Sequence, residues 1–365
     1  MMNLKDKKVV VVGLGRTGLA AARFLHREGA RVLVADTADE AQLGDSVRVL
    51  REMGIALELG PHRITSFNNA DLIVISPGVS HTIEPLMQAK AFDIPLMSEV
   101  ELASRFITEP IVAVTGTNGK TTTTELLTQM LKNSGISVFV GGNIGNPLIE
   151  YVSSGQKKQV VVAEISSFQL DTIDSFRPKI SVLLNITADH LDRYPNFEAY
   201  ADSKIRVFNN QQTDDVAVLN GSDPLIRAKT KEIKSQRLFF PTLQANEQGA
   251  ILNGKRIILN LTKFQKIHPE IHNLQSAIVD IWTLIKCISG GDTILKMYVP
   301  PVWRRWRLEQ HLKGSRKHWI FLRGWLTDSS WWRPSMESSI IMTPKPPTLT
   351  GCSEHWILLQ NPCCC

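Results

Sequence analysis

The chain has almost no cysteine in its body. Cys287 stands alone, and the other four (Cys352, Cys363, Cys364 and Cys365) crowd the C-terminal end. No pair has a zinc-like spacing with histidine, and three adjacent thiols suit no disulfide framework, so a reducing compartment is expected. Long apolar runs are missing as well. No stretch approaches the roughly 18 uninterrupted apolar residues that a membrane-spanning helix needs, and the N-terminus lacks the basic, apolar, small-residue order of a signal peptide. A cytoplasmic protein is expected, acting as a monomer without membrane or nucleic acid. The net charge of +6 does not argue otherwise, because residues 291–365 hold 10 Lys and Arg against 5 Asp and Glu and supply +5 of it. The first 290 residues are nearly neutral. Internal repeats and low-complexity tracts are absent from the body, and charged runs such as Lys229 to Lys234 read as solvated helix faces.

What the chain does have is a phosphate-binding loop. Val114-Thr115-Gly116-Thr117-Asn118-Gly119-Lys120-Thr121-Thr122 lies between an apolar strand (Ile111 to Val114) and a helix-forming run (Glu125 to Lys132). The glycines let backbone N–H groups approach phosphates, Lys120 neutralises β and γ charge, and Thr121 offers a hydroxyl to Mg²⁺. The usual pattern has a further glycine where Val114 stands, so a shorter variant of the loop is implied.

Residues 1–107 predict a doubly wound α/β unit. Lys8 to Val12 is a strand, Gly13-Leu14-Gly15-Arg16-Thr17-Gly18 a turn, Leu19 to Arg27 a helix, and Arg31 to Ala35 a second strand ending at Asp36. An acid at that place meets a ribose hydroxyl in dinucleotide-binding units, which makes this a candidate nucleotide-diphosphate site. The glycine spacing alone is weak, and a structural turn is its bland alternative. Leu72 to Ile75 is a further buried strand, followed by the loop Ser76-Pro77-Gly78-Val79.

Residues 108–290 restart the alternation and predict a second α/β domain, with strands at Val138 to Val140, Val160 to Ala163 and Ile180 to Leu184. These end in Gly141-Gly142-Asn143-Ile144-Gly145, in Glu164-Ile165-Ser166-Ser167-Phe168-Gln169, and in Asn185-Ile186-Thr187-Ala188-Asp189-His190, so polar groups collect at the edge that carries the phosphate loop. Glu164, at a strand end, suits a Mg²⁺ ligand, the alternative being an acid that caps the next helix. His190 is a candidate metal ligand or a structural histidine. Lys204 and Arg206, on the following helical stretch, read by spacing alone as surface charge.

Taken together, the Thr115 to Thr122 loop, Gly142-Asn143-Ile144-Gly145, Glu164-Ile165-Ser166-Ser167-Phe168-Gln169-Leu170 and Asn185 through Pro195 resemble the Mur ligase family of bacterial cell-wall synthesis, from about residue 5 to 290. The Ser-Ser-Phe-Gln segment points to the branch that adds D-glutamate. The resemblance implies an ATP-driven amide synthesis on UDP-N-acetylmuramoyl-L-alanine through an acyl phosphate, with two Mg²⁺ ions. It implies ATP at Gly116 to Thr122 and at Asn273, one metal at Thr121 and Glu164, and the second at His190 and a carbamylated Lys204. That role would replace the surface-charge reading of Lys204. Lys120, His190 and Lys204 would be the catalytic groups. Gly15, Arg16, Thr17, Asp36 and Thr37 would hold the UDP, while Asn143 and Ser166 would face the muramoyl portion. A helix N-cap is the alternative for the His272-Asn273 pair.

The family's third domain has no counterpart in residues 291–365, which lack its His-Arg-x-Glu, Asp-Ser-Lys/Arg-x-Thr-Asn and Gly-Gly-x-Asp-Lys segments. Seven of the 8 tryptophans lie there instead, amid Arg, Pro and Ser. Trp is coded only by TGG, and Val302 to Trp306 written GTT TGG CGG CGT TGG becomes Phe-Gly-Gly-Val when shifted by one base, close to what the family carries there. A frameshift between about residues 290 and 302 is therefore expected, with a disordered or aggregation-prone tail and doubtful ligase activity, the alternative being a genuine Trp/Arg tail for membrane or nucleic-acid contact. Two rivals remain: a fragment that binds nucleotide substrate without ligating it, and a nicotinamide-dependent oxidoreductase resting on Gly13 to Gly18 and Asp36. Hydride transfer has no use for a second phosphate loop.

Overall fold

The computed structural model describes residues 2–242, 247–253 and 256–260, together with the backbone of strands at 321–324, 330–334, 340–344 and 355–358. Two α/β sheets carry the fold. The first is wholly parallel in the order β3-β2-β1-β4-β5, built from β1 (Lys8–Val12), β2 (Arg31–Asp36), β3 (Ala56–Leu59), β4 (Leu72–Ile75) and β5 (Leu96–Ser98). Strands covered on both faces read as continuous apolar runs, and all four residues of β4 are buried. The chain leaves β1 for β2 and β3 on one side and returns to β4 and β5 on the other. This reversal opens a crevice above the carboxyl ends of β1 and β4.

The turn after β1 leads straight into α1 (Arg16–Arg27), three residues earlier than the apolar spacing indicates. Gly18 shows why the turn needs its last glycine: a Cβ there would lie 1.8 Å from the carbonyl oxygen of Gly13. Helix and strand can pack this closely only without a side chain at that point.

The second sheet runs β13-β12-β11-β10-β9-β6-β8-β7. Its strands are β6 (Ile111–Thr115), β7 (Val138–Gly142), β8 (Val160–Glu164), β9 (Ile180–Leu183), β10 (Val216–Asn220), β11 (Gln236–Phe240), β12 (Gly249–Asn253) and β13 (Arg256–Asn260), of which only β13 runs antiparallel to its neighbour. Helix α7 spans Lys120–Asn133 and so begins five residues before the run expected from propensity. The four threonines at 121–124 are poor helix formers. Here Thr123 and Thr124 are buried and the Thr123 hydroxyl donates to the Gly119 carbonyl at 2.8 Å, so tertiary packing overrides propensity.

Helix α6 (Glu99–Ser104) joins the two units. Glu101 is fully buried and accepts from the backbone N–H groups of Asp174 (3.0 Å), Ser175 (3.1 Å) and Phe176 (2.8 Å), from the Ser175 hydroxyl (2.6 Å) and from Arg105 (2.7 Å). Burial opposes its charge, but the hydrogen bonds from Ser175, Asp174 and Arg105 outweigh it and hold the carboxyl below the usual range. Two residues earlier, buried Glu99 accepts the N–H of Ile149 at 2.6 Å, at the start of α8 (Leu148–Ser154). Both units also share one apolar core.

Of the run Lys229 to Lys234, Lys231, Glu232 and Lys234 are exposed as expected, but the run is not a helix face. Helix α11 covers only Pro224–Lys229, and the Lys229 side chain, 14% exposed, is held by Glu198 and Asp202 of α10 (Phe197–Ile205). Beyond residue 260, β14 (Phe321–Gly324) pairs with β17 (His355–Leu358) and β15 (Ser330–Pro334) with β16 (Ile340–Pro344), all antiparallel. The rest of the expected tail, 291–365, lies outside the described residues, as do His272 and Asn273.

Candidate nucleotide and substrate site

The phosphate loop leaves β6 at Thr115 and enters α7 at Lys120. Gly119 supplies the left-handed turn, at φ 83°, that a residue with a side chain adopts only under strain. Asn185, at the end of adjacent β9, fixes the rest. Its carbonyl accepts the Thr117 N–H (3.0 Å), its amide oxygen accepts the Asn118 N–H (2.9 Å), and its amide nitrogen donates to the Asn118 carbonyl (3.0 Å). The Thr117 hydroxyl accepts the Thr187 N–H (3.0 Å) and meets the Tyr200 hydroxyl (3.1 Å). The loop is therefore preorganised, with the first turn of a 14-residue helix, including Thr121 and Thr122, directed at whatever occupies it.

Two lysines converge on this loop. Lys120 donates to the carbonyls of Gly116 (3.1 Å) and Thr117 (2.9 Å), and Lys204, from α10, donates to Gly116 (2.9 Å). Lys204 is only 2% exposed, so the surface-charge reading of it was wrong. The spacing that suggested an outer face overlooked that α10 packs over the loop. Burial, and then the charge of Lys120, pull its amine down to about 7. Its Nζ lies 4.7 Å from the centre of the Tyr200 ring. Arg206 is exposed, as spacing indicated.

The β6–β8 register sets Glu164 beside Val114 and hence next to the loop. Its buried carboxylate accepts from the Thr121 hydroxyl (2.8 Å) and the Asn143 amide (2.9 Å). It caps no helix: Ser166 caps α9 (Ser167–Leu170) in a capping box with Gln169. His190 has φ 53°, its ring packs on Phe168 (5.0 Å) and Tyr200 (6.1 Å), and its Nε2 lies 3.6 Å from Asp189. Among the described residues, no three His, Cys, Asp or Glu side chains group as a metal cage. The oxygen donors around Glu164 nevertheless suit a hard cation that keeps several waters and takes phosphate oxygens. Lys204 as a free amine is no cation ligand; with His190 it fits a second metal only if its amine becomes an oxygen donor.

In the first unit, one oxygen of Asp36 accepts the N–H of Leu14 in the glycine turn after β1 (2.6 Å) and the other that of Ala38 in its own turn (2.8 Å). Gly15 and Thr37 are exposed, Thr17 is half-buried, and Arg16 reaches across to Asn146 and Glu150 of the second unit. The individual roles of Asn185, Tyr200, Phe168 and Arg193 were not drawn from the sequence. A polar Asn ending a buried strand was the available signal for the first of them.

A model of the Mur ligase middle domain matches residues 114–279, and one of the Mur ligase MurD-like N-terminal domain matches residues 7–98. The chain is 56% identical over 253 residues to a UDP-N-acetylmuramoylalanine–D-glutamate ligase of Desulfatibacillum aliphaticivorans, covering 69% of this chain and 56% of that protein. It is 44% identical to the ligase of that name from Geotalea daltonii over 331 residues, 88% of this chain and 70% of the other, a span longer than residues 1–290. The chain thus spans just over half the length of the first of these relatives. A solved ligase structure from Neisseria meningitides, described as acting on UDP-N-acetylmuramate and L-alanyl-gamma-D-glutamyl-meso-diaminopimelate, is 17% identical with a TM-score of 0.46, over 79% of this chain and 99% of that one. On its two matched domains and on identity of this order to full-length relatives, the chain belongs to the Mur ligase family.

Proposed function

We propose that this chain carries the UDP-substrate and ATP sites of a cytoplasmic, monomeric ligase that joins D-glutamate to UDP-N-acetylmuramoyl-L-alanine in peptidoglycan precursor synthesis. The observation that carries this is the preorganised phosphate loop with Lys120 folded against it, beside the Thr121–Glu164 pair. Joining two anions, a carboxylate and a γ-phosphate, needs positive charge, which Lys120 and bound Mg²⁺ would supply. The substrate carboxylate oxygen would bond to the γ-phosphorus as the bridging P–O bond breaks and ADP leaves. The D-glutamate amine, having lost a proton, would then attack the acyl carbon and expel phosphate.

Lys120 would hold the β and γ oxygens, with Gly116 to Thr122 cradling the triphosphate and Asn273 near the nucleotide. Mg²⁺, held by Thr121 and Glu164 and in a second position by His190 and a carbamate on Lys204, would supply charge neutralisation. The amine of Lys204, neutral in part near pH 7, is in the state that reacts with carbon dioxide. Gly15, Arg16, Thr17, Asp36 and Thr37 would hold the UDP, and Asn143 and Ser166 would face the muramoyl group. The acceptor amino-acid site is assigned to no described residue. ADP release with ATP, Mg²⁺ and UDP-N-acetylmuramoyl-L-alanine, with and without D-glutamate, tests the proposal. Binding of the UDP substrate is the expected result, and ADP release that depends on D-glutamate would show the ligation itself; failure to bind the UDP substrate overturns the reading.

A further inference from the structure

We infer that Arg193 is a positioning residue that latches the Pro77-Gly78 loop of the first unit to the His190 turn of the second, so that filling one site orders the other. The inference rests on the functional reading above for what fills each site, but the latch itself is read from contacts. Arg193 donates to the carbonyls of Gly78 (2.8 Å) and Pro77 (3.5 Å), in the loop after β4. That loop is tied to the turn after β1, because the Ser76 hydroxyl donates to the Gly13 carbonyl at 2.9 Å. The connection thus reaches the crevice where the first sheet reverses its strand order.

On the other side, the backbone N–H groups of Arg193 (3.0 Å) and Tyr194 (3.2 Å) both donate to the His190 carbonyl, closing residues 190–194 into one turn. Phe168 completes the unit. The Arg193 guanidinium lies 4.5 Å over its ring, the His190 ring 5.0 Å away, and the Tyr194 ring stacks at 5.8 Å. Moving Arg193 therefore moves His190, and Phe168 sits on the short helix that Ser166 caps. A planar guanidinium can lie flat on an aromatic face while its rigid fork of N–H groups donates to two carbonyls; an ammonium has no plane to stack and no fixed fork, so it holds this arrangement less well. Coupling between sites needs an element whose state both ligands bias, and this latch is contacted from each side.

The test is hydrogen exchange of the whole chain, with Arg193→Ala and Arg193→Lys. In the ligand-free protein, R193A is expected to speed exchange roughly tenfold at both 78–83 and 185–194, with R193K close to R193A and β1, β6 and α7 unchanged. Acceleration on one side only, acceleration throughout the chain, or full rescue by lysine overturns the latch. In the unsubstituted chain, UDP-N-acetylmuramoyl-L-alanine is expected to protect 185–194, and in R193A to protect 78–83 alone. Protection of 185–194 that survives R193A also overturns it. If that probe protects nothing in the unsubstituted chain, the functional reading fails, while the ligand-free comparison still decides the latch.

Discussion

Lys120 and Lys204 donate to the same carbonyl oxygen, that of Gly116, at 3.1 and 2.9 Å. One comes from the start of α7 and is legible in the loop motif. The other arrives from α10, some 80 residues on, and is buried. Two amines this close repel, and the cost falls on the buried one.

Stability should report that cost. The Lys204 amine is displaced from 10.5 to about 7, so the penalty of burying its charge is full below pH 7 and fades as pH rises toward 10.5, where the unfolded chain also loses the proton. Lys204→Met is expected to raise the melting temperature more at pH 6 than at pH 9, with a difference on the order of a few kcal/mol. Calorimetry at the two pH values measures it; an equal effect at both would place the amine in water.

Glu99 titrates in the opposite sense. Burial lifts its carboxyl from 4.5 to about 7, against the N–H of Ile149, so the folded chain keeps a proton that the unfolded chain releases. Its contribution should fall as pH rises from 4.5 to 7 and level off above that, by about 3 kcal/mol. Glu99→Gln should flatten that decline in urea titrations across the same window. An unchanged slope assigns the decline to other groups.

Glu101 is the reverse case, a buried carboxylate with every partner in place. Glu101→Ala leaves the N–H groups of Asp174, Ser175 and Phe176 without their acceptor and Arg105 without its counter-charge. A loss of about 3–5 kcal/mol is expected from denaturant unfolding. A loss below about 1 kcal/mol would show the seam to be dispensable.

A substitution at the Thr121–Glu164 pair would separate metal from phosphate binding. Glu164→Gln should weaken ADP binding roughly tenfold to a hundredfold when Mg²⁺ is present and little when it is chelated. Equal weakening in both conditions would make Glu164 a structural group.

The sequence showed the elements that line the site better than the contacts that set it. Strands β1 and β4 were bounded correctly because a doubly covered parallel strand is a continuous apolar run. Helix α7 was started late because its first turn is built from threonines that only the loop and core make helical. Edge strands such as β3 and β5, four and three residues long, carried too little pattern to be seen. Glu164 could be placed by its strand end. The burial of Lys204 could not, since it depends on how α10 crosses the loop, a tertiary fact with no local period. Asp36 could be placed by its strand end as well, but not the N–H groups of Leu14 and Ala38 that its two oxygens accept.

Calorimetric titration of the intact chain with UDP-N-acetylmuramoyl-L-alanine, then with Mg·ADP on the saturated protein, tests the central claim most directly. The account expects two sites, each filled once and both filled together. Failure of the UDP substrate to bind, or its displacement by Mg·ADP from a single shared site, would contradict it.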